Sequence, residues 1–251
     1  MLATQLRQFT QSGITGLDQM LDAKGIPTGH NIFILGSPGS GKTTLAVQYL
    51  HYGAVKANEP GIFVTLDENP AQIRENVLAF GWDLEKLEAE GLLTMVDASP
   101  LRRVKSAVNL GNISIGKKDF SLVSLIEIIK RNAKEMKAKR IVIDPLATFM
   151  FQYPNEFERR DAFITLLEGV SEVGATSFFV SEVTHTSLER AHQFEEYLAE
   201  GVILMLKRVV TEGMERLFQI EKMRGVNHDT KPRPYVISDE GIRVFPTEQF
   251  V

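Results

Sequence analysis

The sequence predicts an α/β fold: a mostly parallel central sheet flanked by helices, with an antiparallel extension at its C-terminal end. Three observations carry this. Up to Ser181, apolar runs of strand length alternate with stretches of helical period. Several of those runs, such as NIFILG, RIVID and SFFVS, are apolar throughout, as strands buried on both faces are. From Gly201 onward, strand runs follow one another with only short turns between them, the pattern of hairpins. No internal repeat and no linker interrupts the chain, so one domain over residues 1–251 is expected.

Asn31 to Gly36 reads as the first strand and Lys42 to Ala57 as the helix after it. Gly61 to Leu66 (GIFVTL) is β-branched and aromatic, a strand signal. Asn69 is a good N-cap and Pro70 a good first helical residue, opening a helix to Phe80. Leu92 to Asp97 is a strand. Ser121 to Lys137 is a long helix with Leu122, Leu125, Ile126 and Ile129 on one face. Arg140 to Asp144 is a strand, Arg159 to Val173 a helix and Ser177 to Ser181 a strand. Gly201 to Val210, Arg216 to Lys222, Tyr235 to Ser238 and Gly241 to Phe245 make the closing run of strands, read as an antiparallel extension of the same sheet. Two stretches read as loops: Arg102 to Phe120, with Arg102, Arg103, Lys105, Lys117 and Lys118 among Gly, Ser and Asn, and the polar segment Thr184 to Glu200.

Composition narrows the classes. A hydrophobic fraction of 43% over 251 residues is enough for a substantial core. The chain has no cysteine, which excludes thiolate metal sites and cysteine nucleophiles. A formal charge of −4 excludes a global basic field for nucleic acid. No stretch reaches the roughly 18 apolar residues of a membrane span, and the opening MLATQLRQFTQSG has no secretory pattern. A soluble cytoplasmic protein is expected.

The most specific motif is Gly36-Ser37-Pro38-Gly39-Ser40-Gly41-Lys42-Thr43, followed by Thr44. It is G-x-x-x-x-G-K-T between a strand and a helix, the context this phosphate-binding loop requires. The glycines let the chain wrap an anion, and successive N–H groups and the helix N-terminus point at it. Lys42 suits β- and γ-phosphate oxygens, and the Thr43 hydroxyl suits Mg²⁺. The expected cofactors are ATP and Mg²⁺. Asp144, ending the strand RIVID, is the second expected metal-site acid.

Asp67 and Glu68 end the strand GIFVTL. Because Asn69 already caps the next helix, both acids are left for other work. In open α/β sheets the ligand lies beyond the carboxyl ends of the strands, where the phosphate loop, Asp144 and this pair all fall. Glu68 is the candidate that orients or deprotonates an attacking water, with Asp67 assisting. Lys222 and Arg224, two apart at the end of a strand, read as one face of it and offer cations for a γ-phosphate, often supplied by another subunit.

SGITGLDQML, GSPGSGKT, GIFVTLDENPAQIRENVLAFGWDLEKLEAEGLLTMVDASP, RIVIDPL, GATSFFVSE, EKMRGVNH and YVISDEGIRVFP together cover nearly the whole chain. In these runs it resembles the KaiC-type ATPases of the RecA superfamily, as one such domain standing alone. The resemblance implies a RecA-like P-loop NTPase that hydrolyses ATP and forms a homo-oligomer, favoured as a hexameric ring, with nucleotide between subunits. The family's paired catalytic acids match Asp67 and Glu68, the first being Asp where the family has Glu. Its Walker B acid matches Asp144, and its K-x-R-G motif matches Lys222, Arg224 and Gly225, whose cations reach a neighbour's nucleotide. His228 and Asp239 match positions near the sugar and base of that neighbour's nucleotide, and Ser181 and Glu182 a polar strand end near the γ-phosphate. No counterpart of the family's autophosphorylated Ser-Thr pair is found, so autokinase activity is not expected. Two other functions compete. One is a RecA/RadA-paralogue ATPase binding single-stranded DNA through loops at Pro145 to Glu158 and Thr184 to Glu200, with Phe149, Phe151 and Tyr153 to stack bases. The other is a switch whose ATP state recruits a protein partner.

Overall fold

The computed structural model describes residues 8–99, 108–110, 113–115, 117–153, 155–183, 192–210 and 213–248. A short antiparallel ribbon pairs β1 (Phe9–Thr10) with β2 (Ile26–Pro27). β3 (Asn31–Gly36) leads into α1 (Lys42–Tyr52), which a π-helical turn extends through Gly53–Ala57. Next come β4 (Gly61–Thr65), α2 (Pro70–Leu78), α3 (Leu84–Ala89) and β5 (Leu93–Asp97). β6 (Val108–Leu110) and β7 (Ile113–Ile115) pair with each other ahead of α4 (Lys117–Met136). β8 (Arg140–Asp144), α5 (Leu146–Met150), α6 (Glu156–Ser171), β9 (Thr176–Glu182) and α7 (Phe194–Leu198) follow. The chain closes with β10 (Gly201–Val210), β11 (Gly213–Met223), β12 (Arg233–Ser238) and β13 (Gly241–Val244).

Among the described residues, nine strands make one sheet in the order β13-β12-β11-β10-β3-β9-β8-β4-β5. β10, β3, β9, β8, β4 and β5 run parallel, and β10 through β13 pair antiparallel. Alternate residues of each strand enter different cores. Ile32 and Ile34 pack with α1 on one face, while Phe33 and Leu35 pack with α4 and α6 on the other. Burial on both faces explains why these strands read as unbroken apolar runs.

The expected elements are present with small shifts at their ends, and the differences have physical causes. The antiparallel extension is joined to the parallel strands through β10, which pairs antiparallel with β11 and parallel with β3. Helix α4 begins at Lys117, so Lys117 and Lys118 are helical and not in a loop; Arg102, Arg103 and Lys105 lie outside the described residues. The expected loop at 145–158 holds α5 and the start of α6, and the one at 184–200 holds α7. Helices of five residues carry too little periodicity to be seen in a window of 11 or so. Helix α3 is similarly short, and Asp83 Oδ1 caps it by accepting from Lys86 N at 2.9 Å.

Arg140 ties the layers together. Its side chain has no exposed surface. It donates to Glu59 Oε2 at 2.8 Å, to the Tyr49 carbonyl at 2.8 Å and to the Gln11 carbonyl at 2.9 Å. Its guanidinium also lies over the Tyr49 ring, 4.4 Å from the centroid. This one residue locks the middle of α1 onto the start of β8, and so fixes where the two opposite ends, Lys42 and Asp144, meet.

Candidate functional site

The phosphate loop spans the gap between β3 and α1, with Gly41 in the left-handed region at φ 91°. The positive φ favours glycine here, and a Cβ on Gly41 would stand 2.7 Å from Ile237 Cδ1, which would have to shift. The loop is held from outside as well as within. Ser37 N donates to the Met205 carbonyl at 3.3 Å and Ser40 N to the Ser37 carbonyl at 3.1 Å. The Tyr235 hydroxyl donates to the Ser40 carbonyl. Sequence reasoning did not single out Tyr235; a buried tyrosine hydroxyl needs a partner, but only the fold shows that this partner is the phosphate loop. The Ser37 and Ser40 hydroxyls are buried without a hydrogen-bond partner, leaving both for a ligand.

Lys42 Nζ donates to the Gly36 and Ser37 carbonyls at 3.0 and 3.1 Å, poised over the loop. Partial burial lowers its pKa, while Glu182 and Asp144 oppose that shift. Glu182 stands level with Gly36 on the neighbouring strand β9, at the end of SFFVSE. Thr43 Oγ1 donates to Asp144 Oδ2 at 2.6 Å. The two meet although β8 is two strands from β3, because α1 crosses the sheet and packs on β9, β8 and β4.

Asp144 is 7% exposed. Burial pushes its carboxyl up to about 6, Thr43 and Lys42 resist, and the charge of Glu68 pushes further. A buried carboxylate pair partner and hydroxyl with too little positive charge around them is what a hard divalent cation satisfies. Thr43 and Asp144 therefore fit Mg²⁺, and the loop N–H groups with Lys42 fit a di- or triphosphate.

Asp67 and Glu68 are exposed at the carboxyl end of β4, whose Thr65 pairs with Asp144. Asn69 Oδ1 accepts from Ala71 N at 2.9 Å with Pro70 beginning α2, so the cap is Asn69 and the acids are spared that role. The Thr65 hydroxyl donates to the Glu68 carbonyl at 2.7 Å and fixes the turn that carries the acid. β4 neighbours β8, but β9 and β8 separate it from the phosphate-loop strand.

Lys222, Arg224 and His228 are not brought to this loop. Lys222 pairs with Val202, whereas Met205 is level with Gly36, and the loop continues beyond Gly36. Lys222 thus lies toward the opposite end of the sheet, roughly 10 Å or more away. β11 ends at Met223, so Arg224 is past the strand and not on its face with Lys222. The two still converge: Lys222 Nζ donates to the Glu196 and Tyr197 carbonyls at 2.9 and 3.3 Å, and Arg224 Nη2 to that of Tyr197 at 3.5 Å. They cap the end of α7, where free carbonyls attract cations. His228 precedes β12 and Asp239 follows it, so the two are at opposite ends of that strand. Asp239 lies on the phosphate-loop side, in a turn whose flanking Ile237 and Gly241 pack near Gly41 and Gln48.

A mostly parallel sheet with a phosphate-binding loop between a strand and a crossing helix, faced by a buried acid on β8, defines a P-loop nucleotide-binding protein of RecA-like architecture. The comparisons go further. The family model "ATPase: KaiC" matches residues 10–249. The chain is 35% identical over 242 residues to a UPF0273 protein of Methanocaldococcus jannaschii, covering 94% of this chain and 96% of that protein. It is 32% identical over 234 residues to the circadian clock oscillator protein KaiC of Synechococcus elongatus, covering 93% of this chain but only 43% of KaiC. The crystal structure of a KaiC-like protein from Pyrococcus horikoshii superposes with a TM-score of 0.81 at 32% identity, over 96% of this chain and 100% of that one. The chain belongs to the KaiC ATPase family.

Proposed function

We propose that this chain is a single KaiC/RecA-like domain that binds ATP with Mg²⁺, hydrolyses it, and assembles into a ring, hexameric by preference, with nucleotide at the subunit boundaries. The contact of Thr43 with Asp144 beneath the phosphate loop carries the first part. The loop N–H groups of residues 37–44 and Lys42 bind the phosphates, and Thr43 and Asp144 hold the metal, which when bound neutralises charge developing on the β- and γ-oxygens. Glu68 accepts a proton from water as its oxygen bonds the γ-phosphorus; the bond to the β–γ bridging oxygen breaks, and ADP leaves with phosphate. Asp67 supports Glu68 in holding the water.

The placement of Lys222 and Arg224 carries the second part. They stand at the end of the sheet away from their own phosphate loop, so head-to-tail packing in a ring presents them to a neighbour's nucleotide. His228 shares that end and serves the same neighbouring site, while Asp239 serves the nucleotide of its own chain. Single-stranded DNA binding has less behind it. Of Phe149, Phe151 and Tyr153, the first and last are buried at 2% and 4% exposure, leaving Phe151, at 84%, to stack a base.

The test combines ATP binding with light scattering. ATP with Mg²⁺ is expected to bind wild type, to bind Lys42→Ala at least about 100-fold more weakly, and to convert subunits into a closed oligomer. A chain that stays monomeric at saturating ATP refutes the ring, and equal binding by Lys42→Ala refutes the site.

A further inference from the structure

Lys207 is a cation at the phosphate loop that belongs to none of the motifs above. On β10, Ile203 and Met205 enter the core beneath α1, and Lys207 continues that face two residues further. Met205 is level with Gly36, and its carbonyl accepts from Ser37 N, so the next residue on this face arrives at the loop itself. A Cβ built on Gly39 would stand 3.0 Å from Lys207 Nζ. The Lys207 charge is also felt at Lys42, whose pKa it lowers.

A second observation marks the same place. Arg216 is directly opposite Lys207 in the β10–β11 ladder, and like charges facing across a ladder destabilise it. Among the described residues neither forms an ion pair with a carboxylate, and Arg216 Nε is buried with no hydrogen-bond partner. Two cations therefore face each other beside a loop built to hold an anion. A polyphosphate would offset that repulsion.

We infer that Lys207 binds the terminal phosphates of the nucleotide held by the Gly36–Thr43 loop, as a cation supplied by the same chain. This rests on the reading of that loop as an ATP site. It differs from the role of Lys222 and Arg224, because Lys207 needs no neighbouring subunit. The close approach at Gly39 places the ammonium against the loop backbone.

The experiment measures ATP, ADP and AMP affinities, together with nucleotide-free melting, for wild type, Lys207→Gln, Lys207→Arg and Lys42→Ala. Lys207→Gln is expected to lose roughly tenfold or more in ATP affinity, less for ADP, and nothing for AMP, with Lys207→Arg close to wild type. Its nucleotide-free melting temperature should stay level or rise, because the charge opposite Arg216 is gone; a merely structural lysine would instead lower it. Unchanged ATP affinity in Lys207→Gln overturns the inference while leaving the ATP site standing, as does an equal loss for ATP and AMP. Failure of wild type to bind ATP, with Lys42→Ala no different, removes the ATP site and the inference with it.

Discussion

Asp144→Asn should make the nucleotide-free protein more stable near neutral pH while removing its response to Mg²⁺ and ATP. Burial raises the Asp144 carboxyl from its ordinary 3.8 to about 6. Between those values the folded chain holds a proton that the unfolded chain has released, so stability falls as pH rises through this window and stays reduced above about 6. The difference corresponds to about 3 kcal/mol at neutral pH. Asparagine carries no charge to bury, and its side-chain carbonyl can still accept from the Thr43 hydroxyl that now donates to Asp144 at 2.6 Å. Urea unfolding of chelator-treated, nucleotide-free protein would measure the effect. At pH 7.5 the variant should gain up to about 3 kcal/mol, and the gain should shrink toward zero as pH falls to about 4. Adding ATP with Mg²⁺ should reverse the order, because the cation restores wild type and finds no carboxylate in the variant. A variant no more stable than wild type at pH 7.5, or a gain that does not depend on pH, would refute the reasoning.

Other expectations follow from the same geometry. Glu68→Gln should keep ATP affinity within about twofold and lose at least about 100-fold in turnover; near-normal turnover would remove Glu68 from the reaction. Lys42→Ala and Arg224→Ala should each be inactive alone, yet mixing them should recover phosphate release, since one subunit supplies the loop and its neighbour the cation. No recovery on mixing would refute action between subunits. Arg140→Met should cost about 3 kcal/mol in urea unfolding, because the Tyr49 and Gln11 carbonyls lose their donor and Glu59 loses its partner; a loss below about 1 kcal/mol would show that the locking of α1 to β8 is weak.

Much of the fold was legible because local rules and tertiary demands agree. The NIFILG, RIVID and SFFVS runs must be apolar throughout to sit between two helical layers, and they are β3, β8 and most of β9. Asn69-Pro70 announced the start of α2, and the observed cap uses the same atoms. The short helices α3, α5 and α7 escaped notice because one turn has no period to read. That β10 also pairs parallel with β3 is not legible in its own residues, because a strand's partners are decided across the sheet.

The chain's sequence by itself determined the α/β class, the phosphate loop and its flanking strand and helix, and the position of Asp67 and Glu68 between the end of β4 and the Asn69 cap. These are written in contiguous residues whose backbone freedom, capping and periodicity act over a few positions. Tertiary structure alone decided that Thr43 meets Asp144 across two strands, that Lys222 and Arg224 face away from their own phosphate loop, and that Lys207 stands beside Gly39. Each of those relations joins residues far apart in the chain, and sheet order, register and the path of α1 over the sheet set the distances between them.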